Sequence, residues 1–111
     1  MLGGWGGSLV GLSSLDGMDA SENDTSTVWQ FEQGRYYRFR LRVTDDRISG
    51  WIDDEWAVDV SLQYRTVGLR FGEIELSRPL GIASWSTTGA VRNIEFRTIP
   101  SPSQTQPPAP Q

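Results

Sequence analysis

The sequence predicts an all-β fold, and three observations carry that prediction. Apolar and polar residues alternate with period two along much of the chain, helical periodicity is hard to find, and the apolar runs are bounded by Gly, Pro, Asp, Asn and Ser. The clearest stretch is residues 36–44. Tyr37, Phe39, Leu41 and Val43 fall on one face and Tyr36, Arg38, Arg40 and Arg42 on the other, because successive strand side chains point to opposite sides. This reads as a half-buried strand with its apolar set turned to the core.

The Asp45-Asp46 pair supplies a turn, since Asp tolerates left-handed backbone and hydrogen-bonds nearby amides. Residues 47–53 then return with Ile48, Gly50 and Ile52 facing the core, which makes a hairpin. Asp53-Asp54 is a second turn, followed by a third strand in which Trp56, Val58 and Val60 alternate with Ala57, Asp59 and Ser61. On this reading Trp29 and Trp56 belong to the core. Further strands are expected at 9–13, 28–32, 67–71, 80–86 and 91–98. The total of about seven or eight fits an antiparallel sandwich. In the last strand Val91, Ile94 and Phe96 cannot share a face under strict alternation, so a β-bulge is expected near Arg92-Asn93. Residues 16–26 carry Asp16, Asp19, Glu22, Asn23 and Asp24 among small polar residues, which reads as a loop or one short helical turn. From Pro100 the chain is rich in Pro, Ser and Gln without charge or large apolar groups, and it is expected to form a disordered tail over 100–111 after a domain at 1–99.

Composition narrows the chemistry. The chain of 111 residues has no Cys and no His, so a disulfide framework, a thiolate nucleophile and the commonest general base and metal ligand are excluded. A net charge of −4 argues against nonspecific binding to nucleic acid, although Arg38, Arg40 and Arg42 form a local basic stripe. No apolar stretch approaches the roughly 20 residues of a membrane span, and the start at Met1-Leu2 followed by glycines lacks the basic and apolar regions of a signal peptide.

The run FEQGRYYRFRLRVTDDRISGWIDDEWAVDV, followed by SRPLGIASWSTTGAVRNIEFR, resembles the 3-keto-disaccharide hydrolase domains, a large bacterial group. The resemblance rests on Gly34-Arg35-Tyr36-Tyr37, the Trp51-Ile52-Asp53-Asp54 hairpin and Val91-Arg92-Asn93-Ile94. It implies an antiparallel concanavalin-like jelly-roll β-sandwich, a carbohydrate ligand, no cofactor, and a periplasmic or extracellular setting. Members are usually much longer before the segment at 3–23. The resemblance therefore implies that this chain is the C-terminal part of such a domain, with upstream strands missing.

Three constellations are candidates for a site. On the exposed face of the central hairpins, Arg38, Arg40 and Arg42 neighbour Ser49, Trp51 and Asp59, so Trp51 is placed to stack on a sugar while guanidiniums donate to its oxygens. The alternative is a solvated face stiffened by Arg–Trp and Arg–Asp pairs. Trp5, flanked by four glycines, and Trp85 divide in the same way between ligand contact and packing. In the acidic loop, Asp16, Asp19 and Glu22 are spaced so that clustered carboxylates raise one pKa for acid–base work. A turn-capping role is the plainer reading, and calcium-loop spacing is lacking, so no metal is assigned.

Two functions follow. The resemblance implies cleavage of a glycoside oxidised to a ketone at sugar carbon 3, where the ketone acidifies the neighbouring proton and the glycosidic bond leaves by elimination. Such chemistry calls for a base, here Asp19 or Glu22, and a stabiliser of the enolate oxygen, here Arg40 or Arg38. Alternatively the same sandwich and aromatic face hold a polysaccharide without cutting it, or the chain is an inactive fragment of such a domain.

Overall fold

A computed structural model describes residues 1–69, 72–78, 80–84 and 87–99. The expected tail at 100–111 and Trp85 lie outside the described residues, as do Phe71 and Ser86 of two expected strands. The described part is built from two small antiparallel sheets. The first joins β1 (Leu2–Gly4), β2 (Leu9–Val10) and β3 (Thr27–Val28), and the second joins β4 (Phe39–Val43), β5 (Arg47–Ile52) and β6 (Glu55–Ser61), each in sequence order. The all-β prediction holds at this level. Among the described residues there is no α-helix and no helix long and apolar enough to cross a membrane.

The second sheet follows the predicted alternation closely in its central strand. Ile48 and Ile52 are buried together with Val58 and Val60 of β6, and they divide into two clusters. Ile52 and Val58 pack on Val10 of the first sheet, with Leu12, Trp29, Phe31 and Tyr37 around them. Ile48 and Val60 pack on Leu15, with Leu12 and Leu62 alongside. Both clusters lie beneath β5 and β6. The expected burial of Phe39, Leu41 and Val43 is corrected by the structure: these residues are 47, 50 and 57% exposed. Alternation put them on the inner face, but β4 is the outer strand of its sheet and, among the described residues, the buried clusters are built on β5 and β6. Tyr37, just before β4, does reach the core and stacks edge-on against Phe31 at 5.1 Å between ring centroids.

The two turns differ. Asp53 and Asp54 have φ of 49° and 67°, the pair of left-handed residues of a type I′ hairpin turn, whose twist matches that of the flanking strands. Asp53 is held there by accepting hydrogen bonds from the Arg38 amide at 2.8 Å and from Arg35 Nη2 at 2.7 Å. At Asp45-Asp46, Thr44 closes the hairpin through its amide to the Arg47 carbonyl at 2.9 Å, and its hydroxyl donates to Asp46 Oδ1 at 2.9 Å.

The later strands are where the expectation fails. Val67 forms only an isolated bridge to Leu15, residues 80–84 and 91–98 form no strand, and residues 73–77 form a short 3-10 helix (Glu73–Ser77). The expected bulge at Arg92-Asn93 has therefore no ladder to interrupt, although Asn93 takes a left-handed φ of 54°. Val91, Ile94 and Phe96 are exposed, so the amphipathic pattern is present without a partner sheet among the described residues to bury it.

Residues 16–26 form turns, as expected, but they contribute more core than their charge suggests. Ala20 and, just before the loop, Leu15 are fully buried, and the buried Asn23 ties the loop together. Its two Nδ2 hydrogens are shared among the carbonyls of Leu12, Met18 and Asp19 at 2.7, 3.1 and 3.0 Å, while its Oδ1 accepts from the Thr25 amide at 2.9 Å and from the Thr25 hydroxyl. Arg65 locks the loop to the chain after β6 by donating to Asp16 Oδ2 and, through Nη2 at 2.7 Å, to Asp24 Oδ1.

Candidate functional site

The outer face of β4–β5–β6 is assembled by strand register. Arg40 pairs with Trp51, Arg42 with Ser49, Ser49 with Asp59 and Arg47 with Ser61, so these side chains stand together on the side away from the core. One further residue joins them through a register shift. The type I′ turn pairs Ile52 with Glu55 and Trp51 with Trp56, whereas further along Gly50 pairs with Val58. Ala57 is the extra residue of a β-bulge, and it lets Trp56 and Val58 occupy opposite faces although both numbers are even. The expectation that Trp56 is a core residue is thereby corrected. It stands on the outer face, 59% exposed, beside Trp51 with ring centroids 4.6 Å apart.

Trp51 has the opposite character. It was expected as the exposed stacking platform, and it lies on the expected face, yet it is only 9% exposed. The reason is its place in the central strand, where neighbours on both sides lean over it. The Arg40 guanidinium sits 4.1 Å from its ring centroid and that of Arg42 5.9 Å, and Trp56 covers it from the other strand. Ser49, also expected on an exposed face, is buried for the same reason. Its hydroxyl donates to Asp59 Oδ1 at 3.0 Å, and Arg47 Nη1 donates to the same oxygen at 2.9 Å. The Arg47 hydrogen bond first, then that of Ser49, and the positive charges of Arg47 and Arg42 hold the Asp59 carboxyl below the usual carboxylate range. Asp59 is thus an ionised anchor.

Arg40 and Arg42 are exposed, and among the described residues neither is within ion-pair distance of a carboxylate. Their fixed partner is the indole beneath them. Arg38, the third arginine of the predicted stripe, is anchored by its backbone, whose amide donates to Asp53 Oδ1 and whose carbonyl accepts from the Asp53 amide at 2.8 Å.

The structure does not bring the candidate base and stabiliser together. Arg40 is on the outer face of β4, whereas the loop carrying Asp19 and Glu22 is anchored through Leu12 and Leu15 to the inner face. Asp19 accepts from the Ser13 hydroxyl at 3.4 Å, and Glu22 is exposed. Asp16, the third carboxylate of that spacing, has its pKa lowered, first by the Thr66 amide and then by Arg65, in keeping with the turn-capping alternative. Asp24 is lowered too, chiefly by its hydrogen bond to Arg65, whose own pKa is raised by Asp24 and then Asp16. Among the described residues no three acidic side chains are grouped to hold a metal ion. Trp5 occupies the turn between β1 and β2 with a left-handed φ of 46°, on the sheet that does not carry the arginines.

Compared with known proteins, the chain matches no family model, no curated protein and no solved structure.

Proposed function

We propose that the outer face of β4–β5–β6 is a carbohydrate-binding surface and that the chain acts as a binding module. The observation that carries this reading is the exposed Trp56 indole set beside two guanidiniums that are held over Trp51 and unpaired with carboxylates among the described residues. An indole offers an apolar face to a sugar ring, and the guanidiniums offer donors to its oxygens. Arg40 serves as a donor to sugar oxygens and Trp51 as the support beneath it, with Trp56 taking over as the accessible platform.

The resemblance to 3-keto-disaccharide hydrolases supports the ligand class, a concanavalin-like jelly-roll architecture for the whole domain, and an exported setting. The sheet standing between Arg40 and the Asp19–Glu22 loop favours holding a sugar over cleaving it. Trp56→Ala is expected to weaken oligosaccharide binding by about 1–3 kcal/mol through lost stacking area, measured by isothermal titration against a panel of neutral and acidic oligosaccharides. Unchanged binding would remove the proposed face. Release of free sugar from a 3-keto-glycoside, absent from its unoxidised parent and reduced ~10²-fold or more in Glu22→Gln, would restore the enzymatic reading.

A further inference from the structure

We propose that the sugar this face selects is acidic, carrying an oxyanion such as a uronate carboxylate or a sulfate that is received by Arg40 and Arg42; this rests on the carbohydrate-binding reading above. The charges on the face are strongly unbalanced. Among the described residues that strand register sets on this face, Arg40, Arg42 and Arg47 stand against the carboxylate of Asp59, and Asp59 is already committed to Arg47 and Ser49. A neutral ligand would leave the two remaining guanidiniums with no carboxylate at ion-pair distance among the described residues. An oxyanion seated beside Trp56 gains charge-assisted hydrogen bonds from donors already ordered on Trp51, so little side-chain freedom is lost on binding.

The surroundings limit the anion's length. Asp45 and Asp46 lie at the turn above the patch and Asp54 at the turn below it, where Arg35 occupies Asp53, while the whole chain carries a net charge of −4. The β5 strand between these turns is six residues long. It spans about 20 Å, so a long polyanion running along the strands meets carboxylates at either end. Single-stranded nucleic acid, which needs a basic groove tracking several successive phosphates, is poorly served by such a patch. A short acidic glycan fits between the acidic ends.

The test uses the full chain, titrated calorimetrically with trigalacturonate, its fully methyl-esterified form, a sulfated disaccharide, inorganic sulfate and a short oligothymidylate. Trigalacturonate is expected to bind at least tenfold more tightly than its ester, with affinity falling as salt rises. A preference for the sulfated disaccharide over the uronate would identify sulfate as the oxyanion and also support the proposal. Arg42→Gln should cost about tenfold in affinity for the acidic sugar, the size of one charge-assisted hydrogen bond, and clearly less for the ester, which loses only a contact to an uncharged oxygen. Asp59→Asn, which releases Arg47, should tighten acidic binding and guards against a fold defect in the arginine variant. Equal binding of acid and ester, both weakened by Trp56→Ala, would overturn the acidic preference and keep the carbohydrate reading. Binding of sulfate alone as tight as any sugar, or tighter binding of the oligothymidylate, would overturn the proposal, and no binding by any glycan would overturn both.

Discussion

Replacing Asn23 by Ala is expected to be among the most damaging single substitutions in this chain, and the structure allows its size to be worked out. The side chain is buried, and its amide group serves three carbonyls and one backbone amide, with the Thr25 hydroxyl as a fifth partner. Ala leaves these groups to find water inside a closed loop. At roughly 1 kcal/mol for each net hydrogen bond, and more where a buried group stays unsatisfied, the loss comes to about 3–5 kcal/mol. Domains of this size hold on the order of 5–15 kcal/mol in total, so the variant spends a large part of it. Urea unfolding followed by tryptophan fluorescence should show a midpoint lowered by on the order of 2 M, given an m-value of ~1–3 kcal/mol/M. Asn23→Asp should be worse near neutrality, because it sets an ionised oxygen against three carbonyls, and should improve in acid as that group takes up a proton. Thr25→Val removes the hydroxyl alone and should cost about 1–2 kcal/mol. A loss below about 1 kcal/mol for Asn23→Ala, the scale of an ordinary substitution, would refute the idea that this residue organises the loop.

Three other outcomes are expected. Gly50→Ala should stabilise the chain by about 0.4–1 kcal/mol in the same unfolding assay, because an added Cβ meets Leu41, Arg40 and Val58 at ordinary distances while the unfolded chain loses freedom. Folding lowers the pKa of Asp16, Asp24 and Asp59, so below about pH 4 the unfolded chain binds more protons than the folded one. Melting temperature should therefore fall as pH drops below about 4 through the folded values, and this acid-side dependence should flatten in Asp16→Asn/Asp24→Asn; an unchanged profile would count against the Arg65 bridge. The half-exposed Phe39, Leu41 and Val43 on the outer strand of the sheet should drive concentration-dependent association in sedimentation velocity, reduced in Leu41→Lys.

Local chemistry was sufficient to read three strands and two turns from the sequence. Alternation at Ile48, Gly50, Ile52, Val58 and Val60 assigned the inner face, and aspartate pairs marked the hairpins, because both signals act over a few neighbouring residues. The Asn23 to Thr25 hydrogen bond is likewise a local turn contact, whereas its reach to Leu12 and Met18 is set only by how the loop closes. The face of Trp56 was partly legible. A two-residue turn at Asp53-Asp54 pairs Trp51 with Trp56, while the apolar pattern demands Trp56 and Val58 on one side; the two signals disagree by one residue, and the bulge at Ala57 resolves them in favour of the turn near the hairpin and the pattern beyond it.

Burial was decided by the tertiary structure alone. Period two tells which side of a strand a residue takes, and says nothing about what lies against that side. Phe39, Leu41 and Val43 have the same pattern as Ile48 and Ile52 but end half exposed, because among the described residues no layer extends beneath β4. Trp51 has the pattern of an exposed residue but is covered, because side chains from both neighbouring strands close over the middle one. The sequence by itself determined the all-β class, the turns and the basic stripe of Arg40 and Arg42, all properties of adjacent residues. Only the assembled sheets decided that Trp56 is the accessible indole, that Asp16 and Asp24 belong to Arg65, and that the acidic loop and the arginines lie on opposite sides of a sheet, since each of these depends on residues brought together from distant parts of the chain.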